Sequence, residues 1–112
     1  MKGYKVTWGW EPESFLCPTD GVVKYAIGRT TRPRRGCGPL AVFESIGAAS
    51  SMFEVVTPYS IRIRVWECEY EPSDEERLYT PLGQCCSIPE GTRFASSITL
   101  TRMVDSTILS DV

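Results

Sequence analysis

Apolar and polar residues alternate along several short stretches of this chain, a spacing typical of β-strands that bury one face. In residues 3–10 the large apolar side chains share one face: Tyr4, Val6, Trp8 and Trp10. Lys5 and Thr7 fall on the other face. The pattern therefore predicts a half-buried strand with these two polar side chains on its open side.

Further apolar stretches predict the other strands, at residues 22–28, 40–43, 59–70 and 94–104, with shorter ones at 15–17 and 85–88. In the first of these, Val23, Tyr25 and Ile27 share a face. The 59–70 stretch changes face, because its apolar residues are odd-numbered up to Val65 and even-numbered from Trp66 onward. A β-bulge near these two residues reconciles the halves; otherwise both faces are partly covered.

One helix is predicted over residues 46–55, with Ser45 as its N-cap. Since a single helix leaves most strand connections to turns, the sheet should be mainly antiparallel. The expected fold class is α+β: a mainly antiparallel curved sheet of five or six strands with one α-helix packed on it. Residues 1–104 should form one globular domain, and residues 105–112 a loose C-terminal tail.

The composition removes much catalytic and metal chemistry. There is no histidine, and the five cysteines form no C-x-x-C pair, so we expect no metal and no cofactor. No apolar run approaches the roughly 18 residues of a membrane span. The first ten residues also lack the apolar core of a secretion signal. A cytoplasmic protein without membrane contact is therefore expected.

The net charge of −2 is unevenly distributed, with +4 in residues 1–64 and −6 in residues 65–112. A general polyanion binder is usually basic overall, so an extended nucleic acid is not an expected partner. One local segment is strongly basic, however. Residues 29–43, RTTRPRRGCGPLAVF, contain four arginines within seven residues: Arg29, Arg32, Arg34 and Arg35.

This arginine segment predicts a loop that holds a phosphate-bearing ligand. Guanidinium groups pair with phosphate in two-pronged fashion, and Gly36 with Gly38 allows backbone N–H groups to approach an anion closely. The alternative is a solvated loop whose arginines pair with the acidic residues of segment 67–76, which holds six of the fourteen acids.

Two further groups are candidates for the same ligand. Arg62 and Arg64 lie on one face of the 59–70 strand and would add positive charge to an open sheet face; the alternative is an ordinary solvated face. Trp8, Trp10 and Tyr25 would supply a stacking surface for a nucleobase, and the alternative for them is the hydrophobic core.

The order of the segments KGYKV, VVKYAIG, GPLAVFESIGAASSMF and SSITL resembles small uncharacterised domains of phages and bacteria. Some of these are similar in outline to a minimal ADP-ribosyltransferase-like fold. Lys5 is the only basic residue near the position of that family's first-strand Arg or His, and Glu90 is the only candidate for its late catalytic Glu. The resemblance thus implies a nucleotide pocket without the catalytic residues for transfer.

Together these features predict a non-enzymatic binding protein for a small phosphate-bearing, nucleotide-like ligand. The resemblance further suggests a phage-type protein that sequesters a host nucleotide signal in evasion of host defence. A protein-interaction or inhibitor module with a host protein as partner, and an ADP-ribosyltransferase-like enzyme, are the alternatives. A homo-oligomer is also expected, because one thin sheet with one helix leaves an apolar face or an edge strand exposed.

Overall fold

The computed structural model describes residues 1–8, 13–14, 22–49, 62–84, 88 and 90–108. The strands within these residues are, in chain order, β1 (Lys2–Trp8), β2 (Glu13–Ser14), β3 (Thr30–Thr31), β4 (Leu40–Phe43), β5 (Arg62–Pro72), β6 (Tyr79–Thr80), β7 (Gly83–Gln84) and β8 (Thr92–Ile108). The predicted short strand at residues 15–17 and most of the one at 85–88 lie outside the described residues. β4 has the bounds that the sequence pattern predicts.

Four of the six strands in the main sheet, β1, β4, β8 and β5, form a closed ring, and the short strands β2 and β3 add to it. β5 pairs with β1 along one edge and with β8 along the other, and β4 pairs with both β8 and β1. A single pair, Tyr4 with Phe43, joins β1 to β4 and closes the ring. β2 adds to β1 and β3 adds to β8. Every pairing between the described strands is antiparallel, which confirms the mainly antiparallel sheet, whereas its closure into a ring was not expected.

The ladder between β5 and β8 bends because β8 carries extra residues. Register shifts occur at three places, and at each of them one residue of β8 has no opposite number on β5: Ser96, Thr101 and Val104. Such bulges bend a strand and increase its twist. A register shift is present at Val65 and Trp66, where a bulge was predicted, but its extra residue lies on β8 and so it does not switch the faces of β5. β5 itself keeps alternating, and it is covered on both faces, since Val65 is 1% and Trp66 5% exposed.

The inside of the ring holds the hydrophobic core. Among the described residues, the buried members of its cluster are Val23, Tyr25, Leu40, Val42, Trp66, Cys68, Tyr70, Ala95, Ile98 and Leu100. Lys5 and Thr7 point into this core and are only 3% and 0% exposed, so their predicted place on an open face is wrong. The reason is the register: Lys5 lies opposite Trp66, and paired antiparallel residues share a face. The indole N–H of Trp66 donates to Thr7 Oγ1 at 2.8 Å.

Residues 22–28 form an isolated bridge at Lys24 rather than the predicted strand. Val23 and Tyr25 are buried as expected, but Ile27 is 61% exposed. The chain turns there, because Gly28 adopts a φ of 80° and donates its N–H to Leu100 O at 2.9 Å. The turn lifts Ile27 off the core face.

The N-cap predicted at Ser45 is present. Ser45 Oγ accepts a hydrogen bond from the Ala48 N–H at 3.0 Å, and residues 46–49 form a helical turn. Residues 50–55 of the predicted helix lie outside the described residues. At the other end of the chain β8 continues to Ile108, four residues into the predicted tail, and residues 109–112 are not described.

The loop over residues 32–39 packs against the β6–β7 hairpin. The Gly38 N–H donates to Tyr79 O at 2.7 Å. A Cβ at Gly38 would lie 2.5 Å from Tyr79 Cδ1 and 2.9 Å from the backbone oxygen of Arg77. Only glycine permits this close approach.

We predict that Gly38→Ala lowers the free energy of unfolding by about 1–3 kcal/mol, because the Arg77 carbonyl cannot yield without moving the hairpin. Urea denaturation followed by tryptophan fluorescence measures the effect. Gly47→Ala is the control, since its Cβ would meet nothing closer than Ser45 Oγ at 3.8 Å; alanine there should leave stability unchanged or raise it. Equal stability of Gly38→Ala and the wild type would show that this packing is absent.

Candidate functional site

The four arginines of the segment 29–35 are all exposed. Gly36 shapes the loop by adopting a φ of 84°, and the Cys37 N–H donates to Arg34 O at 3.0 Å to close a turn. Within the ranges that the structure describes, none of the four guanidinium groups forms an ion pair or a hydrogen bond. Four fixed positive charges are therefore presented to solvent by a loop whose backbone is held in place.

Other arginines of the chain do have carboxylate partners. Arg93 pairs with Glu44, and Arg102 pairs with Glu67. In the acidic segment, Glu75 accepts a hydrogen bond from the Tyr79 hydroxyl at 2.6 Å, which raises the pKa of that tyrosine. Among the described residues the arginine segment does not pair with the 67–76 segment, so internal neutralisation is not what the structure shows there.

The predicted backbone donors of this loop are only partly available. The N–H of Gly38 is used in its bond to Tyr79, and Gly38 itself is buried against that ring. Its predicted role as an anion donor is therefore wrong. Gly36 is exposed, and a Cβ at this position would lie 3.2 Å from Pro81 Cγ. The side chains rather than a glycine cradle are what this loop offers to an anion.

The outer face of the sheet aligns polar side chains beside this loop. In the register of the strands, Thr99 of β8 lies opposite Glu69 of β5 on one side and opposite Thr30 of β3 on the other. The hydroxyls of Thr30 and Thr99 are 2.9 Å apart and share a hydrogen bond. Two residues along β8, Ser97 lies opposite Glu71. The two rows belong to one face because residues i and i+2 of a strand point the same way.

Arg32 completes this arrangement from the loop side. It stands two residues beyond Thr30, just after β3 ends. Together with Met1 and Tyr70, these residues line an open cleft of about 270 Å³. Hydroxyl groups form its floor, two carboxylates lie along β5, and one guanidinium lies on the opposite side. The Met1 ammonium also lines the cleft, where it lies 3.6 Å from Glu69 Oε2 and donates to Tyr70 O at 2.8 Å. The sequence did not predict the cleft, because Glu69 and Glu71 lie within the acidic segment 67–76 and their spacing does not set them apart.

The predicted stacking residues are not brought to this cleft by any described contact. Tyr25 is 4% exposed and belongs to the core, so its predicted stacking role is wrong. Trp8 ends β1, and nothing of its side chain is described; Trp10 lies outside the described residues.

Arg62 and Arg64 lie at the far end of β5. Only the backbone of Arg62 is described. Arg64 is half-buried and lies opposite Thr7, on the core face, which corrects its predicted place on an open face. Seven residues separate Arg64 from Glu71, roughly 23 Å along an extended strand. These two arginines therefore do not belong to the cleft.

A buried polar cluster lies inside the ring, and sequence patterns gave no sign of it beyond a lysine within an apolar strand. Lys5 Nζ donates to Ala41 O at 2.7 Å and lies 5.5 Å from the centre of the Tyr25 ring. Desolvation lowers the pKa of Lys5 from 10.5 to about 8, and Cys68 opposes that shift slightly. Desolvation also raises the pKa of the Cys68 thiol to about 11 and that of Tyr25 further still.

The Tyr25 hydroxyl is buried and finds no hydrogen-bond partner among the described residues. Lys5, Tyr25 and Cys68 are each 5% exposed or less, so this cluster belongs to the core and not to the cleft. Glu90, the candidate for a catalytic carboxylate, lies elsewhere, exposed on the turn before β8.

Comparisons with known proteins do not identify the chain: no family model matches it, and neither a curated protein nor a solved structure is similar to it. In the described residues, no three His, Cys, Asp or Glu side chains are grouped so that they could hold a metal ion. Among the described residues, no helix is long and apolar enough to cross a membrane.

We predict that the free energy of unfolding rises by roughly 1 kcal/mol between pH 7 and pH 9. Folded Lys5 has a pKa of about 8, whereas unfolded Lys5 titrates near 10.5, so the unfolded chain binds more protons in this window. From about pH 8 upward the raised pKa of Cys68 acts in the opposite direction, because the unfolded thiol, with a pKa near 9, ionises before the folded one. Stability should therefore stop rising near pH 9.

Urea denaturation at pH 7, 8 and 9 tests this expectation. Lys5→Met should abolish the rise, whatever it does to absolute stability, because the titrating group is gone. Lys2→Met in the same strand is the control and should keep the rise, since Lys2 is exposed. A flat profile in the wild type, or one that Lys5→Met leaves unchanged, would contradict the assignment.

Proposed function

We propose that this protein is a non-enzymatic binding protein for a small phosphate-bearing, nucleotide-like ligand. The observation that carries the proposal is the set of exposed guanidinium groups in residues 29–35 that have no carboxylate partner within the described structure. Guanidinium–phosphate pairs are among the stronger hydrogen-bonded contacts, and their two-pronged geometry favours a terminal phosphate.

The adjacent cleft supports a small ligand over an extended one. Its volume of about 270 Å³ is just below the range of roughly 300–1,000 Å³ typical of sites for drug-sized molecules. A second cleft, of about 250 Å³, also includes an arginine, but that residue, Arg93, is already paired with Glu44. Arg32 in the first cleft has no such partner among the described residues, so an incoming anion displaces no internal contact there.

Binding without catalysis is favoured by where the tuned ionisable groups lie. General acids and bases of enzymes usually have shifted pKa values and face the substrate. Here the large shifts belong to Lys5, Tyr25 and Cys68, which are buried in the core and do not line the cleft. Sequestration of a nucleotide signal is a role that needs no such groups.

The experiment is a binding screen with mono-, di- and cyclic nucleotides and with inorganic pyrophosphate, by thermal shift and then isothermal titration calorimetry. We predict that Arg32→Gln with Arg34→Gln weakens binding of the best nucleotide at least tenfold, because each charge-assisted contact contributes about 1.5–3 kcal/mol. The fold should be unaffected, since both side chains are exposed.

Arg93→Gln with Arg102→Gln is the matched control. It removes the same charge with the same substitutions, at two arginines that are paired with carboxylates, and it should bind like the wild type. If both double variants lose nucleotide affinity equally, the loss is explained by the change in net charge and not by contacts of the arginine loop. Failure of every nucleotide and of pyrophosphate to bind would overturn the proposal and leave the protein-interaction module as the better interpretation.

A further inference from the structure

We propose that the cleft recognises the vicinal diol of a ribose, with Glu69 and Glu71 accepting hydrogen bonds from sugar hydroxyls while Arg32 contacts the phosphate. This inference rests on the proposed function and specifies its ligand as a ribonucleotide rather than a deoxyribonucleotide. It assigns the cleft to a sugar phosphate with a defined orientation across the sheet.

The strand register fixes the orientation. Glu71 on β5 and Arg32 after β3 flank β8, with Ser97 of β8 between them. Neighbouring strands are about 4.8 Å apart, so two strand spacings separate the backbones of the two charged residues by roughly 10 Å. That distance accommodates a five-membered sugar ring with its phosphate, and it places opposite charges at the two ends of the bound group.

The charges decide which end of the ligand lies where. Glu71 has no ion-pair partner among the described residues, so it repels a phosphate and accepts hydrogen bonds from hydroxyl groups. Glu69 pairs with the Met1 ammonium at 3.6 Å, and its remaining lone pairs can still accept from a hydroxyl group. The guanidinium of Arg32 has only donors and therefore selects the anionic end. A free phosphate would use one side of the cleft alone, and a sugar phosphate uses both.

The floor and the size agree with this assignment. The hydroxyls of Thr30, Ser97 and Thr99 can each donate and accept, which suits the oxygen atoms of a sugar. The volume of about 270 Å³ admits a ribose phosphate but leaves a base at the open mouth. The cleft should therefore discriminate the sugar strongly and the base weakly.

The test compares adenosine 5′-monophosphate with its 2′-deoxy and 2′,3′-dideoxy forms by isothermal titration calorimetry, with the guanosine series as a second base. The ribonucleotide should bind at least tenfold more tightly than the dideoxy form, with the 2′-deoxy form between them. For a given sugar, the affinities of the adenosine and guanosine nucleotides should differ by less than tenfold. All ligands carry the same phosphate, so its contribution cancels.

In the double variant Glu69→Gln with Glu71→Gln, the ratio of the affinities for the ribonucleotide and the dideoxy form should fall towards one. An amide is a weaker acceptor than a carboxylate, and it presents an N–H₂ group to the sugar hydroxyls. The double variant should retain binding of the dideoxy nucleotide through Arg32. Glu90→Gln is the control, because it removes a negative charge from an exposed position outside the cleft. Its preference for the ribonucleotide over the dideoxy form should equal that of the wild type.

The outcomes separate this inference from the proposed function. Equal affinity for all three sugars overturns the ribose inference and leaves nucleotide binding standing. A preference for ribose that survives in the Glu69, Glu71 double variant also overturns it, because the diol is then recognised elsewhere. Failure of every nucleotide to bind refutes the proposed function and this inference with it.

Discussion

The structure depends on the way β8 is paired along both of its edges. One edge runs along β5, and the other meets β4 near its beginning and β3 further along. A flat strand cannot serve both partners and also let β4 reach β1. The three unpaired residues Ser96, Thr101 and Val104 supply the bends that bring the sheet round on itself. The core inside the ring and the cleft outside it both follow from this curvature.

Part of the fold could be read from local patterns. The bounds of β4 and the cap at Ser45 are set by residues close together in the sequence, so propensity and periodicity suffice to predict them. The antiparallel sheet followed from the single predicted helix, which leaves most strand connections to turns. The ring is different, because the pair Tyr4 with Phe43 joins residues 39 positions apart. Alternation says which side chains share a face, but the pairing of whole strands decides which face is covered. Lys5 and Thr7 were misplaced for that reason.

The candidate site divides in the same way. Arginine density predicted a basic loop, and the structure leaves those side chains exposed and without partners among the described residues. The carboxylates of the cleft were not predictable from composition, since Glu69 and Glu71 belong to an ordinary acidic run. Their meaning comes from the register that sets Thr99 opposite Glu69 and Ser97 opposite Glu71. The sequence does show polar residues at i and i+2 in both strands, Glu69 with Glu71 and Ser97 with Thr99. This spacing indicates a shared polar face only once the pairing of β5 with β8 is known.

The buried lysine has a physical place in the same architecture. β1 and β4 are joined in the ladder by one pair only, which makes this the least extensively paired junction of the ring. Lys5 Nζ, donating to Ala41 O, adds a second link across it. A charged donor forms a stronger hydrogen bond than a neutral one, and the face of the Tyr25 ring is a favourable neighbour for the ammonium. The desolvation that lowers the pKa of Lys5 is thus partly offset by contacts that hold the ring closed. Because the cleft lies on β5, β8 and β3, whose curvature that closure maintains, the lysine in the core supports the surface on which the ligand is proposed to bind.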